Sequence, residues 1–288
     1  MKRSGHVAPR ATPRAGFSTS PLLGRFLAGA GIALLAVSCV CFVIHARNSA
    51  YLVHATRFIF DGPGDDEAKA IALAHFVAVQ GNHAVDPDSA SLTARLENSL
   101  PLELSPVTVL KEGFALPDAK RFGPCGQLCR TVRAVAWLHG IRSHKVLMGA
   151  HDNEHAMVAL YVHGGYRLFD PTYDFYWTDR AGHVATVEQV RGDSTIFAQV
   201  YRRYPGYKYR LDDAMYFNWR RLGRPGMWMR SVLISVAGGP WVESLDTPRL
   251  YDRPWWGYSW LTFTLGAIAL VAGIVPLRRR RPQPAAAL

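Results

Sequence analysis

Phe122-Gly123-Pro124-Cys125-Gly126-Gln127-Leu128-Cys129 is the stretch on which the reading of this chain turns. Gly-Pro-Cys-Gly is a turn. Pro124 is excluded from a helix interior but suits the first helical turn or the residue before it. Leu128, Val132, Val135, Ala136 and Leu138 then recur at helical spacing. His139-Gly140 supplies the usual glycine stop. The spacing therefore predicts a helix with Cys125 at its open N-terminus, where unpaired N–H groups and the positive end of the macrodipole favour a thiolate. That is the environment of a cysteine nucleophile. Cys129 lies four residues on, on the same face, and reads as a small buried hydrophobe. A Cys125–Cys129 disulfide fits helical geometry poorly.

A thiol nucleophile needs a base, usually histidine, and a third group that orients the imidazole. His155 opens an alternating run through Val162 in which Val158, Leu160 and Val162 share one parity, the pattern of a half-buried strand. His163-Gly164-Gly165 is a turn signal, Tyr166 to Asp170 reads as the return strand, and Pro171 stops it. Two turns fit. A four-residue loop over 162–165 pairs Tyr161 with Tyr166 and places His155 and Asp170 on one face, diagonal neighbours about 7–8 Å apart. A two-residue Gly-Gly turn moves them further apart along the strands. Asp170 is also suited to a plain turn-capping role before Pro171.

Gly-x-Cys-Gly, a helix ending in Gly140-Ile141, a strand at Lys145–Met148, then His155 and Asp170-Pro171-Thr172 together resemble the transglutaminase-like core. The likeness covers roughly residues 65–180. It implies an α+β fold similar to papain-like thiol enzymes: a Cys-bearing helix packed on an antiparallel sheet that carries the His and the Asp. It implies Cys125, His155 and Asp170 as the catalytic set and a thioester intermediate on an amide or ester carbonyl. Water as acceptor gives a peptidase or amidase, and an amine gives a transglutaminase. In one respect the sequence departs from the pattern. Family members often place an arginine between Gly-Ile and the next strand; here Arg142 comes early, and His144 and Lys145 hold the later positions. A silent binding or scaffold domain for an envelope peptide or glycan is the alternative from a different functional class.

The net charge of +11 suggests nucleic acid until its distribution is read. Lys2, Arg3, Arg10, Arg14 and Arg25 lie in an acid-free stretch over 1–25, and Arg278 to Arg281 in another over 278–288. Without those nine, 24 basic residues face 22 acidic ones, so the body is near neutral and no nucleic-acid partner is expected. The basic tails flank two apolar runs, Phe26 to Ile44 and Trp256 to Leu277, each long enough to span a bilayer. A cleaved signal peptide is the competing reading of the first. Ala36-Val-Ser-Cys39 loosely suggests a lipoprotein site, but Val40-Cys41-Phe42-Val43-Ile44 continues the run and favours an uncleaved anchor. Trp255, Trp256, Tyr258 and Trp260 at one end of the second run, with four arginines at the other, suit a spanning helix. The expected protein is a two-pass member of a bacterial cytoplasmic (inner) membrane. Residues 47–254 would face outward, toward a peptide or protein substrate of the envelope.

Arg47–Pro63 reads as a short strand and linker, and Asp65-Asp66-Glu67 opens a helix through Gln80. Ser89 to Leu96 is a candidate helix, Leu102–Lys120 a loop, and Thr186–Tyr204 contains a helical stretch. Tyr, Trp and Arg crowd residues 201–230, as in single-strand nucleic-acid binders. Beside a membrane segment, interfacial packing or a sugar- or peptide-binding groove is the expectation. His151-Asp-Asn-Glu154-His155 matches the inverted zinc motif, which requires a helix. Gly149 and Asp152-Asn153 make a turn there, so His151 and Glu154 are expected at the mouth of the site, with no metal and no cofactor. His75, His83, His139, His144 and His163 show no partner in the sequence and default to core or surface.

The positive-inside pattern makes a topological prediction. A reporter active only outside the cytoplasm should work when fused near residue 150 and fail at either terminus. Cleavage after the first apolar run would contradict the two-anchor reading.

Overall fold

The computed structural model describes residues 21–81, 97, 104–112, 123–148, 155–211, 214–247 and 252–278. They form two compact units. Residues up to Cys39 and from Trp260 make one, and Val40–Ser259 the other. The fold is mixed: helices and one four-stranded antiparallel sheet in the order β1-β2-β3-β4.

In the first unit, the outer parts of α1 (Pro21–Phe60) and α10 (Pro254–Arg278) pack through glycines. A Cβ on Gly31 would stand 2.7 Å from the Leu270 nitrogen and 2.8 Å from the Gly266 carbonyl oxygen. One on Gly273 would stand 2.6 Å from the Ala28 nitrogen. Only residues without side chains allow backbones this close, which is how apolar helices associate in lipid. Both helices are long and apolar enough to cross a membrane. Phe26, Ile32, Leu261 and Ile268 are exposed along them.

α1 corrects the strand-and-linker expectation for Arg47–Pro63. The helix runs on to Phe60, 40 residues in all, about 60 Å and twice the hydrocarbon thickness of a bilayer. Nothing between Arg47 and Phe60 breaks a helix, and Leu52, Thr56 and Ile59 bury one face at helical spacing.

The second unit is built on the sheet. α2 (Asp66–Gly81) starts with Asp66 and Glu67 in its first turn. α3 (Pro106–Glu112) stands where a loop was expected. Its signal was present: Ser105 Oγ accepts the Thr108 N–H at 3.3 Å, with Pro106 at the first helical position. α4 (Gly123–Leu138) carries Cys125 and ends in a Schellman turn, Ile141 N–H to Ala136 O at 2.8 Å and Gly140 N–H to Trp137 O at 3.1 Å, with Gly140 at φ +78°. α4 is buried round most of its circumference. Leu128, Val132 and Val135 lie within the core, and Arg130 and Arg133 are buried too. Arg133 is ion-paired to Asp246 at 2.9 Å and Asp252 at 3.3 Å.

β1 (Ser143–Met148), β2 (His155–Val162), β3 (Gly165–Asp170) and β4 (Phe175–Tyr176) form a meander. β2 corrects the half-buried expectation, because the sheet is covered on both faces. Ala156, Val158, Leu160 and Val162 pack into the core containing α2, α3 and α4. Met157 and Ala159 pack on the other side with Leu168, Trp177 and Tyr207. That second cover comes from α5 (Val187–Gly192), α6 (Ser194–Phe197), α7 (Gln199–Arg203) and the segment after them. Thr186 caps α5 reciprocally with Gln189. Tyr161 pairs with Tyr166, as the four-residue alternative has it. Val162 also pairs with Gly165, so the turn is His163-Gly164, at φ +48° and +76°. The chain continues through α8 (Gly223–Ala237) and α9 (Gly239–Glu243) to α10. The candidate helix over Ser89 to Leu96 lies outside the described residues.

The glycine contact predicts a position-dependent effect. Gly31→Leu should lower the melting temperature of the detergent-solubilised protein, at a cost on the order of 1–3 kcal/mol. Gly29→Leu, where an added Cβ meets nothing within 4 Å, should leave it near wild type.

Candidate active site

Cys125 is the third residue of α4, so its N–H is one of the four that no helical carbonyl accepts. The start of α4 lies over the start of β2. Cys129 donates its thiol to the Ala156 carbonyl at 3.0 Å, and the backbone N–H groups of Ala156 and Gly126 lie close enough to the Cys125 sulfur to favour its thiolate. His155 is the first residue of β2 and Asp170 the last of β3. The register places them on one face, and His155 Nε2 meets Asp170 Oδ2 at 2.7 Å. Cys125 lies beside the same imidazole, close enough that each group shifts the other's titration. The three residues expected from the sequence thus come together. Cys125 is half-buried, while His155 and Asp170 are 1% and 0% exposed.

Four groups hold the buried carboxylate of Asp170. Oδ1 accepts the N–H of Thr172 at 3.1 Å and of Tyr173 at 3.4 Å, the turn that Pro171 introduces. Oδ2 accepts from Tyr207 Oη at 3.2 Å as well as facing His155. The turn-capping and ring-orienting roles therefore coexist on different oxygens. Tyr209 stacks on the His155 ring at 4.3 Å between centroids and 16° between planes. Tyr173 and Tyr207 meet it edge-on at 5.6 and 6.1 Å. An aromatic face over the ring favours its cationic form.

The electrostatics follow from these contacts. Burial works to raise the Cys125 pKa, but the hydrogen bond and charge of His155, with the two backbone N–H groups, outweigh it and bring the thiol below its ordinary value. Burial works to lower the His155 pKa, but the charge and hydrogen bond of Asp170 and the contact with Cys125 raise it to about 9. Both shifts favour a thiolate–imidazolium pair. Cys129 is the opposite case: complete burial, then the neighbouring Cys125, push its thiol well above the usual range. Burial and Asp170 raise the Tyr207 pKa, so it stays a donor.

Tyr173, Tyr207 and Tyr209 were not singled out in the sequence. Tyr207 and Tyr209 fall in the aromatic-dense stretch after residue 200, for which interfacial packing was the first expectation; Tyr173 carries no such signal. Tyr207 instead lies inside the domain, 3% exposed, against Asp170. Lys145 was noted only as a departure from a pattern. It is buried on β1, with Nζ 3.5 Å from where a Cβ on Gly126 would stand. Arg142 stacks on Tyr161 at 3.8 Å and is not part of the site. His151 and Glu154 lie outside the described residues. Several histidines without assigned partners have them: His75 meets Asp174 at 2.9 Å, His139 Nε2 lies 3.0 Å from Thr56 Oγ1 and its ring stacks on Phe60, and His144 stands 3.2 Å from Asp246. His83 is outside the described residues. Protein-family models, curated proteins and solved structures contain no match to this chain.

The contrast between the two helical cysteines is directly measurable. Iodoacetamide near neutral pH should modify Cys125 well before Cys129, as peptide mapping would show. Tyr207→Phe should slow that labelling by a few-fold, by removing one donor from the carboxylate that holds His155. Equal labelling of the two thiols would contradict the ion pair.

Proposed function

We propose that the protein is a membrane-anchored, transglutaminase-like thiol enzyme that hydrolyses an amide bond in a peptide through a thioester on Cys125. The observation that supports this most strongly is the His155–Asp170 pair at 2.7 Å with Cys125 beside the same ring. Nothing in core packing requires a cysteine at an open helix end beside a buried, carboxylate-held imidazole. The resemblance in motif order, from Gly-x-Cys-Gly to Asp-Pro-Thr, supports the same family assignment.

The chemistry follows in two steps. The Cys125 thiolate attacks the carbonyl carbon and forms the C–S bond. Charge collects on the carbonyl oxygen, which the N–H of Cys125 in the first turn of α4 is placed to receive. His155 gives its Nδ1 proton to the leaving nitrogen as the C–N bond breaks. A water then takes the amine's place, His155 accepts its proton, and attack on the thioester releases the acid and restores the thiolate. Asp170 fixes the ring throughout, and Tyr207 fixes Asp170. The two apolar helices would tether this domain to the bacterial cytoplasmic membrane, facing the envelope.

Incubating the full-length detergent-purified protein with a peptide library in heavy-oxygen water tests this reading. New carboxylates should carry the label, and Cys125→Ala should produce none. His155→Ala should lower kcat/KM by a factor of roughly 100 to 10,000. Unlabelled amine conjugates in place of labelled acids would move the assignment to amine transfer. An intact library, with peptides merely retained, would leave a binding domain.

A further inference from the structure

At the other end of the β2–β3 hairpin from His155, three potential ligands converge from three separate segments. Glu67 comes from the first turn of α2, His163 from the hairpin turn, and His183 from the turn between Asp179 and Val184. One donor atom from each lies within 4.8 Å of the others. The Glu67 side chain is 10% exposed. Its Oε1 accepts the Val184 N–H at 3.1 Å and stands 3.3 Å from His183 Nδ1. Its Oε2 is enclosed and has no hydrogen-bond partner, standing 3.7 Å from His163 Nδ1.

A buried carboxylate oxygen without a donor is costly unless a cation faces it. His183 Nδ1, 3.3 Å from Oε1, and His163 Nδ1, 3.7 Å from the unpartnered Oε2, bracket the carboxylate, with one donor atom from each of the three residues within 4.8 Å of the others. Ligand bonds of about 2.0–2.1 Å in tetrahedral geometry put neighbouring donors roughly 3.4 Å apart. The remaining nitrogen of His163, Nε2, stands 3.5 Å from Asp65 Oδ2. A carboxylate behind a ligating histidine is the usual orienting partner in metal sites. Both turns are held by contacts of their own. The hairpin turn takes positive φ at His163 and Gly164, and Asp179 accepts the N–H groups of Ala181 and His183 at 2.9 and 3.0 Å.

We propose that Glu67, His163 and His183 bind a divalent ion of the zinc type, with Asp65 orienting His163 and solvent filling the open position. Two imidazoles with one carboxylate favour zinc over calcium or magnesium, which prefer all-oxygen shells. The ion clamps α2, the hairpin turn and the 179–184 turn together, roughly 25 Å along β2 from His155. It is separate from the thiol chemistry, and it revises the metal-free expectation for the chain without touching that for Cys125.

The test uses the full-length, tag-free protein in detergent, stripped with chelator and titrated with zinc chloride. One equivalent should bind, and the melting temperature should rise with it. Cobalt chloride should give the visible absorption of tetrahedral coordination. His183→Gln and His163→Asn should each abolish the stoichiometric equivalent and the cobalt band. Asparagine tolerates the left-handed backbone at 163, so metal-free variants should melt like metal-free wild type. Asp65→Asn should weaken zinc binding about tenfold. No bound equivalent in the wild type, or wild-type affinity in both histidine variants, would overturn the site.

Discussion

The buried pair of His155 and Asp170 is the constraint to which the rest of the domain answers. A carboxylate and an imidazole, 0% and 1% exposed, lose their hydration, and an unpaired charge in that position would be strongly destabilising. The fold compensates by surrounding Asp170 with donors: two backbone N–H groups from the turn at Pro171, the Tyr207 hydroxyl, and His155 itself. The strand register that brings them together is set by the His163-Gly164 turn eight residues away from His155. A slip of one residue would send the two side chains to opposite faces.

That requirement explains the double cover of the sheet. A half-exposed β2 would leave the pair in water, where Asp170 could not lift the His155 pKa to about 9. The short helices after residue 186 and the tyrosines beyond them close the second face, and Tyr207 joins that core to the carboxylate. The first face is closed by α4, whose N-terminus delivers Cys125 while its interior buries Cys129. One helix thus carries two thiols four residues apart with opposite electrostatic fates. Exposure of the helix end and contact with His155 separate them.

How much of this was legible in the sequence depended on range. The α4 stop at Gly140, the start of α2 at Asp66, and the strands around His155 and Asp170 are local patterns, and each is found within a residue or two of its expected place. α3 was missed although Ser105-Pro106 is a local start signal, because its short length hid the period. The continuation of α1 past Arg47 was missed because charges at the end of an apolar run were read as the end of the helix, while the buried face of Leu52, Thr56 and Ile59 becomes visible only with its partners. Cys125, His155 and Asp170 could be found because motif order carried them. Tyr207, 37 residues beyond Asp170, and the Glu67–His163–His183 cluster could not, because tertiary contact alone unites them.

The central claim is that contact with the His155 imidazole favours the thiolate form of Cys125. A pH titration of thiolate ultraviolet absorbance, comparing wild type with Cys125→Ala to isolate this residue and with His155→Ala to remove its partner, measures it most directly. The account predicts a Cys125 transition below the roughly 8.5 of a free thiol that moves upward when His155 is removed. A transition at or above that value, indifferent to His155, would contradict it.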